Sequence, residues 1–292
     1  MARKVLVIGA SGMLGTDLVQ RLGASAQVLC AAEDRGDYVI DITRPADALS
    51  CIQEASPDVV VLTAAFTNVD GCETDPDTAH RINAYGAGVV ASVCAKRGIP
   101  LMHISTDFVF DGHSTEPYTE WAEPAPLGVY GRSKLEGERW VREVCPAHWI
   151  VRTAWLFGRN GRCFPRSILR AARDHKPLRV VSDQVGSPTY TRDLAEVLAG
   201  LIEAEAPFGT YHAVNAGETS WHGFAEEILR QAGIHCSVEP IPSDAYPSPT
   251  RRPAYSVLAT DRLRWAGIGS LRPWDEALGA FLAEIRSELT GE

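Results

Sequence analysis

Residues 5–18 read VLVIGASGMLGTDL: an apolar run ending at Ile8 breaks into three evenly spaced glycines, Gly9, Gly12 and Gly15, and an amphipathic stretch follows. A buried strand that ends in glycines and passes into a helix aims unpaired backbone N–H groups at whatever sits on the turn. A pyrophosphate is the natural guest of such a turn. The spacing is G-x-x-G-x-x-G rather than G-x-G-x-x-G, so the reading depends on what surrounds the motif.

Outward from this turn the chain alternates short apolar runs with amphipathic ones: KVLVIGA (4–10), MLGTDLVQRL (13–22), AQVLCAA (26–32), PADALSCIQEA (45–55) and DVVVLTAA (58–65). A further helix is expected from about Asp75, with Asp75 as N-cap, Pro76 in the first turn and Gly98 as its stop. IPLMHIST (99–106) and HWIVRTAW (148–155) read as buried strands, with a helix between them from about Val129. Runs that are apolar throughout imply a parallel sheet covered by helices on both faces. The fold class is therefore α/β, doubly wound. After about Phe157 the texture turns proline-rich and irregular, as in VEPIPSDAYPSPTRRPAYSV (238–257), which points to a second, smaller lobe. Ligands of open parallel sheets bind beyond the carboxyl ends of the strands, so the site is expected in a cleft between sheet and lobe.

Composition narrows the function. With 292 residues and 45% hydrophobic content the chain can bury a large core. A net charge of −9 argues against a general nucleic-acid binder, which needs a basic face. Seven scattered cysteines without a CxxC pair fit reduced thiols in the cytoplasm better than a disulfide framework or a zinc site. The opening MARKVLVIGASG is too short to span a membrane and lacks a cleavage site, so neither membrane nor targeting segment is expected. Eight histidines form no HExxH or His/Cys cluster, and no metal is expected.

Two further stretches carry chemistry. The strand QVLCAA runs into Glu33, Asp34 and Arg35, where an acid would hold a ribose hydroxyl and an arginine a 2′-phosphate. Both signals are present, which leaves NAD and NADP unseparated. In YGRSK (130–134), Tyr130 and Lys134 lie one helical turn apart, so the ammonium is expected to lower the tyrosine pKa and make a usable proton donor. Upstream, Ser105, Thr106 and Asp107 fall at the carboxyl edge of a buried strand, where a hydroxyl could meet a substrate oxygen beside Tyr130.

Together, the glycine turn, the Ser/Thr pair and Y-x-x-x-K resemble the extended short-chain dehydrogenase/reductase superfamily. Within it, IGASGMLG (8–15), PDVVVLTAAFTNVDGCE (57–73), ISTDFVFDG (104–112), PLGVYGRSKLEGE (126–138), RTAWLFG (152–158), SDQVGSPTYTRDLA (182–195), GTYHAVNAGETSW (209–221) and YPSPTRRPAYSVL (246–258) resemble the dTDP-4-dehydrorhamnose reductase family. The resemblance implies a Rossmann-like NAD(P)-binding domain over 1–157, with 178–215 expected to return to it. Residues 158–177 and 216–292 would form the smaller substrate-binding lobe. It implies NADPH as cofactor, with NADH as the alternative, a nucleotide-sugar substrate, and room for a homodimer.

By the same resemblance, hydride passes to C4 of the keto sugar while Tyr130 protonates the oxygen, Lys134 tunes the tyrosine and holds the nicotinamide ribose, and Thr106 meets the substrate oxygen. Gly9, Ser11, Gly12, Met13, Leu14, Gly15, Arg35, Asp41, Ile42, Ala64, Ala65, Thr67, Asn83 and Ser105 would contact the cofactor. Val69, Asp107, Trp155 and Arg252, the last beside Arg251, would contact the substrate. Some relatives assemble a metal-assisted dimer from glutamates, and Arg192 stands where one of these would align, which disfavours a divalent ion there. Two other readings share the fold: a regulatory subunit resembling the β subunit of methionine adenosyltransferase, and a reductase or epimerase of another nucleotide deoxy-sugar.

Overall fold

The structure, a computed structural model, describes residues 2–174 and 177–290. Its first half alternates as the periodicity predicts: β1 (Lys4–Ile8), α1 (Met13–Leu22), β2 (Gln27–Ala32), β3 (Tyr38–Val39), α2 (Pro45–Ala55), β4 (Val59–Leu62), α3 (Val69–Thr74), α4 (Pro76–His80), α5 (Ala87–Arg97), β5 (Leu101–Thr106), α6 (Val129–Val144) and β6 (His148–Thr153). The second half contains β7 (Leu156–Phe157), α7 (Phe164–Arg173), β8 (Leu178–Val181), β9 (Val185–Gly186), β10 (Thr189–Tyr190), α8 (Thr191–Glu203), β11 (Gly209–His212), β12 (Thr219–Ser220), α9 (Trp221–Gln231), β13 (Val238–Ile241), α10 (Asp261–Trp265) and α11 (Trp274–Glu284).

Seven strands form one parallel sheet in the order β11-β6-β5-β4-β1-β2-β3. Side chains alternate across it as the pleat requires. Val5 and Val7 of β1 pack with Leu14 and Leu18 of α1 and Leu194 and Leu198 of α8 on one face. Leu6 and Ile8 pack with Ala48 and Ile52 of α2 and Val90 and Cys94 of α5 on the other. Because both faces are covered, β4 is VVVL with every residue buried. The chain winds outward from β1 in both directions, and a crevice opens past the carboxyl ends of β1 and β4 at this reversal.

A third core, apart from the two that cover the sheet, is built on Phe157, Ile168, Leu178, Phe224, Ile228, Leu278 and Phe281. Within 178–215, α8 packs on α1 and β11 extends the large sheet. Leu178–Val181, by contrast, pairs with β13 and buries Leu178 and Val180 in the third core.

The helix expected from Asp75 to Gly98 starts and stops at those residues. The Asp75 carboxylate accepts from the Thr78 N–H at 3.1 Å, and Gly98 takes the left-handed conformation at φ 66°. Between the two ends the helix is not uniform, because Arg81–Gly86 forms a π-helical turn. The wider turn leaves Gly86 against Ile42, where a Cβ would approach the Ile42 side chain to 2.8 Å. No helix among the described residues is long and apolar enough to cross a membrane.

Candidate active site

The glycine turn is held by backbone packing. Gly9 has φ 94°, and a Cβ there would lie 2.5 Å from the Ala64 nitrogen; a Cβ on Gly15 would lie 2.1 Å from the Gly9 carbonyl oxygen. Gly12 caps α1 without a side-chain bond, and the first turn holds no acid, so its N–H groups remain available to an anion. Beyond the turn lies a cavity of about 780 Å³ past the carboxyl ends of the strands.

The cavity gathers most of the residues singled out in the sequence. Gly9, Ser11, Gly12, Met13, Leu14 and Gly15 line it from the turn, Asp41 and Ile42 from beyond β3, and Ala64, Ala65, Thr67 and Val69 from the loop after β4. Ser105, Thr106 and Asp107 line it from the end of β5, Tyr130 and Lys134 from α6, Trp155 from beyond β6, and Arg252 from the proline-rich loop.

Arg35 and Asn83 do not line this cavity. Arg35 is exposed on the loop between β2 and β3, whereas Glu33 lines the cavity. Asn83 is 1% exposed and turns its amide to the protein interior. Its Oδ1 accepts from the Phe66 N–H at 2.8 Å, and its Nδ2 donates to the Phe66 carbonyl at 3.0 Å and to Ser133 Oγ at 3.1 Å. Ser133 Oγ in turn donates to the Tyr130 carbonyl at 2.9 Å. One side chain therefore ties the loop under the cavity to the helical turn that carries Tyr130 and Lys134.

Two further expectations change in detail. The Ser105 hydroxyl donates to Glu138 Oε1 at 2.6 Å, so its hydrogen bond is spent on the protein. Lys134 Nζ donates to the Ile104 carbonyl at 2.7 Å. Burial pushes the Lys134 ammonium down to about 8, with Glu138 opposing the shift. Burial also pushes the Tyr130 phenol well above its ordinary value, only partly offset by a hydrogen bond from Thr106, and Lys134 is not among the groups acting on it. Desolvation thus outweighs the lowering that the one-turn spacing suggests. The Phe108 ring packs edge-on against the phenol ring, with centroids 5.7 Å apart.

Asp107 is fully buried, and burial pushes its carboxyl up to about 6 against hydrogen bonds from Ser256 and Thr106. At the far wall, Trp155 stacks face to face on Trp221, with ring centroids 3.5 Å apart. Trp155 takes an unusual φ of 46°, and Gly186 leaves room for its indole. Arg252 donates to Asp70 Oδ1 at 2.9 Å and to Ser248 Oγ at 2.8 Å, which brace the guanidinium in the cavity wall.

Trp221 and Arg162 also line the cavity and were not anticipated. In the sequence Trp221 figures only as the last residue of GTYHAVNAGETSW, and nothing local distinguishes Arg162 from a surface arginine. Near α1 and α8, Arg192 forms an ion pair with Glu284, and Tyr190 donates to the same carboxylate. Among the described residues no group of three or more His, Cys, Asp or Glu is placed to hold a metal ion.

Residues 3–287 match the family model described as RmlD substrate binding domain. A dTDP-4-dehydrorhamnose reductase of Streptomyces griseus is 43% identical over 282 residues, covering 94% of this chain and 91% of that protein. A dTDP-4-keto-6-deoxy-D-glucose reductase of Streptomyces niveus is 39% identical over 281 residues, covering 95% and 96%. The crystal structure of a dTDP-4-dehydrorhamnose reductase from Bacillus anthracis in complex with NADP superposes with a TM-score of 0.93 at 36% identity, covering 97% of this chain and 100% of that one.

Proposed function

The chain belongs to the RmlD substrate binding domain family, and from that premise we propose that it reduces the C4 ketone of dTDP-4-dehydro-β-L-rhamnose with NADPH to give dTDP-L-rhamnose. The observation that carries this reading is the convergence of Thr106, Tyr130 and Lys134 on the same cavity as the glycine turn.

NADPH supplies the hydride when bound. The residues present fit it: backbone packing forbids a side chain at Gly9 and Gly15, and the first turn of α1 offers N–H groups to a diphosphate. Tyr130 delivers a proton to the C4 oxygen as its charge grows, and burial, which disfavours the phenolate, makes the neutral phenol the resting form. Thr106 lies beside the phenol and orients the same oxygen. Lys134, anchored on the Ile104 carbonyl, would hold the nicotinamide ribose. Arg252, braced by Asp70 and Ser248, suits a diphosphate of the substrate through its planar fork. The stacked Trp155 and Trp221 offer an apolar wall to the deoxy-sugar. On this reading residues beyond Phe157 that build the third core form the sugar lobe, and the enzyme works in the cytoplasm, as a monomer or homodimer, with its seven cysteines as free thiols.

The deciding assay follows NADPH oxidation with dTDP-4-dehydro-6-deoxyglucose in the presence and absence of an active 3,5-epimerase, with the product identified. Oxidation that requires the epimerase and yields dTDP-L-rhamnose supports the proposal. Oxidation without the epimerase would instead favour a reductase of the unepimerised sugar, the substrate named for the Streptomyces niveus relative. Cofactor binding without oxidation would return the chain to a regulatory role.

A further inference from the structure

Among the described residues, the cations that line the cavity are Lys134, Arg162 and Arg252. Lys134 donates to the Ile104 carbonyl, and Arg252 is held by Asp70 and Ser248. Arg162 is exposed and has neither a hydrogen bond nor an ion pair within the described residues. The acids that share the cavity wall are engaged elsewhere or distant in the sheet. Asp41 accepts from Thr43 and pairs with Arg44, Asp107 accepts from Thr106, and Glu33 stands past the end of β2.

The backbone on either side of Arg162 is fixed even though its side chain is exposed. The segment between β7 and α7 packs on the first turn of α1: a Cβ on Gly158 would lie 3.2 Å from Met13 Cγ, and one on Gly161 would lie 3.6 Å from Met13 Cβ. Asn160 Nδ2 donates at 3.3 Å to Oδ1 of Asp17, one helical turn past Met13. On the other side, Cys163 is buried in the third core. Arg162 therefore brings a full positive charge to the end of α1 where Gly12 makes no side-chain cap, no acid stands in the first turn, and free N–H groups gather.

We propose that Arg162 closes over the diphosphate of the bound cofactor from the side opposite the glycine turn, through its planar fork. The inference rests on the reductase reading above. On that reading two diphosphates enter one cavity, and each meets its own arginine: Arg252, tied to Asp70 of α3, takes the substrate's, and Arg162, carried on the segment tied to α1, takes the cofactor's. The 2′-phosphate lies out of this contact. Glu33 marks the β2 side of β1, whereas the segment bearing Arg162 follows β6 and β7, and β6 lies on the other side of β1 in the sheet order.

Calorimetric titration of wild type, Arg162→Ala and Arg162→Lys with NADPH, ADP-ribose, 2′-AMP and dTDP tests this. ADP-ribose carries the diphosphate without the nicotinamide or the 2′-phosphate, and 2′-AMP carries the 2′-phosphate without the diphosphate. Arg162→Ala is expected to raise the Kd for NADPH and for ADP-ribose by about tenfold each, the scale of one hydrogen bond between charged groups. The Kd for 2′-AMP and dTDP should stay within about twofold. Arg162→Lys, which keeps the charge and loses the fork, should recover part of the loss. Added salt should weaken NADPH binding more steeply in wild type than in Arg162→Ala. A loss confined to dTDP would overturn the proposal and assign Arg162 to the substrate's diphosphate. Equal losses for NADPH and 2′-AMP would overturn it in favour of the 2′-phosphate, and four unchanged affinities would leave Arg162 a surface arginine. Wild-type protein that binds neither NADPH nor ADP-ribose would sink the reductase reading as well, a result distinct from any difference between wild type and variant.

Discussion

Arg152 and Glu138 form a two-pronged ion pair sealed between β6 and α6, with donor–acceptor distances of 2.8 and 2.7 Å and both side chains out of reach of water. Arg142 and Ser105 donate to the same carboxylate, each at 2.6 Å. Arg152 also donates to His212 Nε2 at 3.4 Å, while His212 Nδ1 donates to the carbonyls of Tyr118 and Ala259 at 3.1 and 3.0 Å. One buried chain of bonds therefore joins the strand end that bears Thr106, the helix that bears Tyr130, and the segments that cap the sheet at β11.

Breaking that pair should be costly. Burial alone would raise the Glu138 carboxyl, yet Arg152 and its companions hold it at about 2. A carboxyl lowered in the folded state contributes stability above its unfolded value, near 4.5, and loses that contribution as pH falls toward about 2. Glu138→Gln is expected to destabilise the protein by about 3–5 kcal/mol at pH 7 by leaving Arg152 uncompensated. The gap to wild type should narrow as pH falls below that unfolded value. Denaturant titrations at pH 7 and near pH 3 test this; a cost under about 1 kcal/mol at pH 7 would contradict it.

Tyr130→Phe removes the proton donor and little else, since the ring keeps its packing against Phe108. Turnover should fall by about 10²-fold or more, as for loss of a positioned acid, while the dissociation constant for NADPH stays nearly unchanged. Fluorescence titration beside steady-state kinetics separates the two, and wild-type turnover in the variant would remove Tyr130 from the chemistry.

Cofactor preference should respond to Glu33 rather than Arg35. Glu33 lines the cavity, whereas Arg35 lies outside it and is exposed. Arg35→Ala should change affinity for NADPH and NADH by less than about twofold. Glu33→Ser should shift the NADPH to NADH ratio toward NADPH by about two- to fivefold, the scale of one exposed charge acting on a 2′-phosphate. A selective loss of NADPH binding in Arg35→Ala would return the 2′-phosphate to that side chain.

Asn83→Ala leaves the Phe66 N–H and carbonyl without their partner, at about 1–3 kcal/mol for each unmet group. Because the same loop lines the cavity, NADPH binding should weaken as well. Ser133→Ala removes the bond from Asn83 and the bond to the Tyr130 carbonyl but leaves both Phe66 groups paired, and should cost less. Thermal unfolding with and without NADPH gives both quantities; equal effects of the two substitutions would mean that the amide does not anchor the loop.

What could be read from the chain was local. The glycine turn, the strand lengths and the one-turn pairing of Tyr130 with Lys134 follow from neighbours in sequence, and they place most of the cavity wall. What the chain does not reveal by itself lies where distant segments meet. Asn83 sits in a helix beside the cavity, but the π turn and Phe66, 17 residues away, decide that its amide faces inward. Lys134 has the right spacing to act on Tyr130, yet the carbonyl of Ile104, 30 residues earlier, claims its ammonium. Trp221 reaches the cavity by stacking on Trp155, 66 residues earlier, which no periodicity encodes.

That indole pair also has an optical consequence. Two rings stacked at 3.5 Å and 5° apart in plane share their electronic excitation, so the pair should produce a two-signed band in circular dichroism and emission distinct from that of the other five tryptophans. Trp121 and Trp265, at 5.3 Å on the surface, provide a second coupled pair far from the cavity wall. The protein therefore carries its own label-free reporter of what enters between its lobes, with an internal reference that a ligand in the cavity leaves undisturbed.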